Sequence, residues 1–348
     1  MWTRRVLVAL IAVGLPACAR ACGKRSDAQD AGAAERHASG IEMLAEGKEP
    51  RLKLEVGRWA GLAYGLTLTG EVSLGVVGRP AVKSPTSVTG FEFEVLRGTA
   101  NPIVKKLGGR ERRFVEERGV IQTARAESAE IPPAALLSMN EALATLKGLS
   151  TRQLIGEDGE IAEVTTEALE GKELSKEVKE VLDRSFDAQR RFPFRLPPKA
   201  VGVGGKWRFR ESVELSGVTM WQICEMSVTQ IRGDRVTISL RVRHEAPKQE
   251  VPHPLFPERR ADVEQYRGDG TGHITIDRMT AVVTEGKLST TGSLKLSWYE
   301  GDALKSATFL AATRTEISGR IGRMPEAGVG DAAALDAGAD ATPGSDPP

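Results

Sequence analysis

Along much of this chain apolar and polar residues alternate with a period of two, the pattern of strands with one buried and one wet face. In RLKLEV, Leu52, Leu54 and Val56 alternate with Arg51, Lys53 and Glu55. LAYGLTL groups Leu62, Tyr64, Leu66 and Leu68, and GEVSLGVVG groups Val72, Leu74 and Val76. GFEFEV sets Phe91, Phe93 and Val95 against Glu92 and Glu94. The C-terminal third continues the pattern. Trp207, Phe209, Val213 and Leu215 share a face that Glu211 interrupts, and a turn at Ser216-Gly217 follows. Val218, Met220, Cys224, Met226 and Val228 then alternate, and Arg232-Gly233-Asp234 turns the chain into Val236, Ile238, Leu240 and Val242. GHITID, MTAVVTEGKL, GSLKLSWY and ATFLAATRTEIS follow. Parallel strands buried on both faces read as continuous apolar runs, so these strands are expected to be antiparallel. Their regular spacing predicts a meander.

The period changes in the middle of the chain. Pro132 and Pro133 can open a helix and Gly148 can close it, which predicts a helix over 133–147. RQLIGEDGEIAEV is a hairpin with Asp158-Gly159 at its turn. Leu174, Val178, Val181, Leu182 and Phe186 recur at helical spacing, predicting an amphipathic helix over 174–189 that ends before Phe192-Pro193. The expected fold is α+β and predominantly antiparallel β: a large curved sheet or meander with two amphipathic helices packed on one face. One folded body over 41–323 is expected. A division into two near RLPPKAVGVGG, around residue 200, is the alternative.

The two ends are of another kind. Arg4 and Arg5 precede an apolar run from Val6 to Leu15, shorter than the roughly 20 residues that span a bilayer. This is the pattern of a secretory signal peptide. It ends on Leu15-Pro16-Ala17-Cys18, which resembles the lipobox of bacterial lipoproteins. The resemblance implies cleavage between Ala17 and Cys18, acyl chains on Cys18, and residues 1–17 as the removed signal. Ala19 after the modified cysteine implies an outer-membrane address facing the periplasm. An ordinary signal ending at Ala17, or at Ala19-Arg20-Ala21, would instead leave a soluble periplasmic or secreted protein. Residues 18–40 are small and polar and are expected to form a flexible tether spanning roughly 25 Å. Residues 324–348 hold Ala, Gly, Asp and Pro without Lys or Arg, and are expected to be a disordered acidic tail.

Composition narrows the function classes. The 348 residues carry a formal net charge of +1, with no basic patch interleaved with aromatics, so nucleic acid is a poor partner. With Cys18 acylated, only Cys22 and Cys224 remain of three cysteines, and Cys224 is expected to be a small buried hydrophobe. No Cys/His spacing suggests zinc. GVGGKW lacks the first glycine and the Ser or Thr of a phosphate loop, and GEDGE lacks the spacing of a calcium loop. His273 shares a predicted strand face with Thr275 and Asp277, where a wet face is the simpler account. No nucleophile elbow and no HExxH occur. Catalytic residues, cofactors and metal ligands are therefore expected to be absent.

LPPKAVGVGGKWRF, IRGDRVTISLRVR and GDGTGHITIDRMTA, over about 195–281, resemble a domain-of-unknown-function family of bacterial lipoproteins. Gly205-Lys206 stands where that family carries an acidic residue before the tryptophan. The resemblance implies an envelope address and a β fold and transfers no catalytic residue. Many alternating strands with only two helices to cover them lead to the functional expectation. The chain is expected to be a membrane-anchored, non-catalytic binding module whose sheet holds an apolar ligand or an envelope protein. A purely structural envelope-assembly protein, or a hydrolase with a non-standard site, is the alternative.

Overall fold

The computed structural model describes residues 40–107, 109–167, 194–215, 218–253 and 259–322. Its strands are β1 (Glu42–Ala45), β2 (Ala63–Val76), β3 (Val82–Lys83), β4 (Thr86–Arg97), β5 (Ile103–Leu107), β6 (Arg110–Glu127), β7 (Ser150–Gly156) and β8 (Ile161–Glu167). They continue with β9 (Lys206–Leu215), β10 (Val218–Arg232), β11 (Arg235–Ala246), β12 (Glu250–Pro252), β13 (Arg260–Asp277), β14 (Val283–Glu300) and β15 (Ala303–Ile321). One helix, α1 (Pro133–Ala144), sits between β6 and β7.

All the strands join one 15-stranded sheet in the order β1-β9-β10-β11-β13-β14-β15-β2-β4-β6-β7-β8, with β3, β5 and β12 beside β2, β6 and β13. Two meanders build it, one running out from β2 to β8 and the other back from β9 to β15. Antiparallel pairing of β15 with β2, from Phe309 opposite Val76 to Ile321 opposite Tyr64, joins them. Hairpins turn where the sequence places Gly159 and Gly233, both at positive φ. A residue with a side chain is strained there, so the turn chemistry fixes the register of both hairpins.

The sheet curls. Residues of β9, β10, β11 and β13 (Trp207, Met226, Ile238, Ile276) share one core with Val95, Val115 and Ile155 of β4, β6 and β7. Those groups lie at least three strands apart in the sheet order. Leu54 and Val56, before β2, and Phe194, Leu196 and Val201, before β9, fill the space between the two limbs. Glycines permit the bend. A Cβ on Gly272 would lie 2.1 Å from the Lys287 carbonyl oxygen, and one on Gly319 would lie 2.0 Å from that of Val283. No side chain fits either position, which is how long strands are made to coil.

Two expectations are corrected. Among the described residues the fold is not the expected α+β arrangement with two amphipathic helices on one face: they form an antiparallel β sheet with a single helix. That helix buries Met139 alone, leaves Leu137 exposed, and stops at Ala144 rather than 147. Asn140 ties it to the end of β6, accepting from the Ala126 N–H at 2.6 Å and donating to the Ala126 carbonyl at 3.1 Å. The curled sheet and the two segments between its limbs supply the cover expected of helices. RLKLEV is likewise not a strand. Leu52 makes one isolated bridge to Val201, while Leu54 and Val56 are buried from irregular backbone. The helix expected over 174–189, the signal, the tether and the acidic tail lie outside the described residues. Among the described residues no helix is long and apolar enough to cross a membrane.

Candidate functional site

The concave face holds two polar clusters with different characters. The first centres on Glu117, which is fully buried on β6. Its carboxylate pairs with the Arg58 guanidinium, accepts from the Tyr64 hydroxyl at 2.6 Å, and accepts from Gln153 Nε2 at 3.0 Å. Arg58 Nε donates to the Thr280 carbonyl at 3.0 Å, so the cluster also fastens the turn between β13 and β14. Burial opposes charge on Arg58, and Glu117 beside it more than compensates, holding the guanidinium ionised. Burial raises the Tyr64 hydroxyl well above its ordinary pKa and keeps it a donor. Glu117 is fully satisfied and sealed, so this cluster is a clasp between loop and sheet.

The second cluster runs across strands at a single register. Arg195 Nη2 donates to Glu211 on β9 at 2.9 Å, and Gln222 Nε2 on β10 donates to the same carboxylate at 2.8 Å. Gln222 Oε1 lies 2.8 Å from His244 Nε2 on β11. An ionised carboxylate only accepts, so the Gln222 amide must turn its nitrogen to Glu211 and its oxygen to His244. His244 therefore carries its proton on Nε2, and Nδ1 is left as an acceptor. Burial lowers the His244 pKa, with Asp269 opposing, so the imidazole is neutral near pH 7. Burial raises the Glu211 pKa, opposed first by Arg195 and then by Gln222.

The same register continues beyond His244, and the side chains become small. His244 stands opposite Gly268 on β13, Gly268 opposite Gly292 on β14, and Gly292 opposite Ala311 on β15. Ala311 stands opposite Leu74 on β2, and Leu74 opposite Val82 on β3. This row forms a floor crossing the strands. One neighbouring row is large and apolar, with Tyr266, Leu294, Phe309 and Val76 in register. The other carries Gly270, Thr290, Thr313 and Val72. The two threonine hydroxyls face each other at 2.6 Å, and the Thr290 methyl lies over Gly270. Apart from the Tyr266 hydroxyl, each wall therefore presents carbon.

Exposure marks this floor out from the core. Leu74 is 36% exposed and Val82 69%, while Leu66, Leu68, Val76, Leu288, Leu294 and Phe309 are half-buried. From Ala307 to Ile321 the concave positions of β15 bear no charge, whereas its other face carries Arg314, Glu316 and Arg320. Arg314 and Lys287 pair with Glu316 on that outer face at 2.8 and 3.1 Å. Water thus reaches the uncharged side of β14, β15 and β2. Beyond the wall that contains Phe309, His253 is set edge-on against Trp298, with ring centres 4.5 Å apart, and beside Phe309 itself.

The residues singled out in the sequence scatter. Ala17 and Cys18 lie outside the described residues. Cys224 is buried on β10, and burial, with Glu211 nearby, pushes its thiol well above the ordinary range. His273 is exposed on the outer face, apart from Asp277, whose carboxylate caps the following turn through Thr280 N at 2.9 Å and Oγ1 at 2.8 Å. GVGGKW turns at Gly204 and buries Trp207, whose indole donates to the Arg195 carbonyl at 2.8 Å. At the GEDGE tip Asp158 accepts from the Glu160 N–H at 3.1 Å and pairs with Arg112. Among the described residues no three His, Cys, Asp or Glu are grouped to hold a metal ion. Sequence reading missed the Glu211–Gln222–His244 row, though each member breaks an apolar alternation. No protein-family model matches the chain, and no curated protein matches it in sequence.

Proposed function

We propose that this protein is a lipoprotein of the bacterial envelope, anchored by acyl chains on Cys18, whose non-catalytic β body binds an apolar ligand on its concave face. The observation that carries the reading is the uncharged, half-exposed side of β14, β15 and β2, set beside an outer face dense in paired charges. Apolar surface left in water costs roughly 25 cal/mol per Å², and an apolar ligand lying on it recovers that cost. Concave, mostly apolar surface with a few placed polar groups is the usual character of a small-molecule site. The anchor rests on the lipobox at Leu15 to Cys18. A tether of some twenty residues would keep the body within roughly 25 Å of the bilayer that supplies such a ligand.

Solvent extraction of the purified protein followed by mass spectrometry tests this, because the anchor is covalent and stays with the chain. Free lipid released in stoichiometric amount supports the proposal. A chain that releases none, and binds no added apolar probe, refutes it.

A further inference from the structure

The floor described above is polar at one end and apolar at the other, and its polar end carries two groups without a further partner among the described residues. His244 Nδ1 lies 3.1 Å, and the Tyr266 hydroxyl 3.4 Å, from the point where a Cβ on Gly268 would stand. The same hydroxyl lies 3.4 Å from the corresponding point on Gly292. An acceptor and a donor therefore bracket one side-chain-free spot, and among the described residues they make no hydrogen bond to each other or to other protein atoms beyond that of His244 Nε2 with Gln222. Both are neutral near pH 7, and the concave positions from there to Val82 carry no Lys or Arg. From β11 to β3 the floor crosses five strand spacings of about 4.8 Å, roughly 24 Å along the sheet. An extended long acyl chain has that reach.

From this arrangement, and resting on the apolar-ligand reading above, we propose that the site takes a neutral single-chain amphiphile with a hydroxyl-bearing ester head, such as a monoacylglycerol. A head hydroxyl donates to His244 Nδ1, and the ester carbonyl accepts from the Tyr266 hydroxyl. The chain runs over Gly292 and Ala311 toward Leu74 and Val82. A free fatty acid fits worse for two reasons. Its carboxylate meets no cation there, and an unpaired charge is costly to bury. Its oxygens would also face the Nδ1 lone pair.

Competition against a fluorescent acyl probe tests this, using the full chain made in a cell-free extract so that Cys18 carries no acyl group. Monooleoylglycerol should displace the probe at least tenfold more effectively than oleate. Tyr266→Phe keeps the ring and removes one hydrogen bond, so it should weaken monooleoylglycerol about three- to tenfold and leave oleate unchanged. Ala311→Trp, at an exposed position, should block both while the circular-dichroism spectrum stays that of the parent. If oleate competes as well as monooleoylglycerol, or Tyr266→Phe affects both alike, the headgroup assignment is overturned while the apolar site stands. If neither ligand competes and Ala311→Trp changes nothing, the apolar-ligand reading itself falls.

Discussion

Replacing Glu117 by alanine should be among the most damaging single changes in the sheet. The substitution leaves the Arg58 guanidinium, 7% exposed, without its counter-charge. It also takes the acceptor from the Tyr64 hydroxyl and from Gln153 Nε2. Removing one partner of a buried ion pair costs about 3–5 kcal/mol. Each donor stranded in the interior adds about 1–3 kcal/mol unless water or a rearrangement reaches it. Some relaxation into the space left by the side chain offsets this, so a loss of about 4–5 kcal/mol is expected. With a urea m-value of about 3 kcal/mol per molar, the unfolding midpoint should fall by more than 1 M. Chemical denaturation followed by far-ultraviolet circular dichroism measures it. The double change Arg58→Met with Glu117→Leu should cost less than Glu117→Ala alone, because a buried pair exchanged for apolar groups no longer strands a charge. A loss below about 1 kcal/mol for Glu117→Ala, or a double variant less stable than the single one, would refute the clasp.

Three other expectations follow from local features. His244 has a lowered pKa in the folded state, so the unfolded chain takes up a proton first as the pH falls through the ordinary value of 6.5. Stability should be level above about pH 7 and decline below 6.5, and His244→Gln should reduce that decline in urea titrations at pH 7.5 and 5.5. Gly272→Val places a Cβ 2.1 Å from the Lys287 carbonyl, so backbone must move; a loss of at least about 2 kcal/mol is expected in thermal unfolding. Cys18→Ser should abolish acylation and move the protein out of the membrane fraction, or leave it uncut with its signal, as fractionation and intact-mass measurement would show.

What could be read from the sequence depended on how evenly each strand divides its two faces. β10 and β11 alternate clearly apart from Gln222 and His244, and their hairpin needs only Gly233 to turn, so both were legible. β6 was not. Its concave positions include Glu117 and Gly119, which erase the alternation, and RERRFVEERG looks like a solvated stretch although Glu117 is the most buried charge among the described residues. The helix opened by Pro132 and Pro133 was legible, though it stops at Ala144 rather than 147, but a helical cover for the sheet was expected because the residues that curl the sheet do not announce themselves in the sequence. Curling a sheet on itself depends on Gly272 and Gly319, whose role is visible only once their neighbours across the strands are known. The candidate site was hidden for a similar reason. Glu211, Gln222 and His244 each look like a lone polar lapse in an apolar run, and only the register sets them side by side. The floor is harder still to read, since it is made of residues with almost no side chain.

Neighbouring residues on β2 point to opposite faces, and this allows the central claim to be tested in living cells. A photoreactive benzoylphenylalanine placed at Leu74 faces the floor, and one placed at Ser73 faces the charged outer surface. After irradiation and purification, intact-mass measurement should show an added lipid mass on the Leu74 variant and none on the Ser73 variant. Lipid adducts of equal yield at both positions, or a cross-linked polypeptide in place of lipid at position 74, would contradict the account.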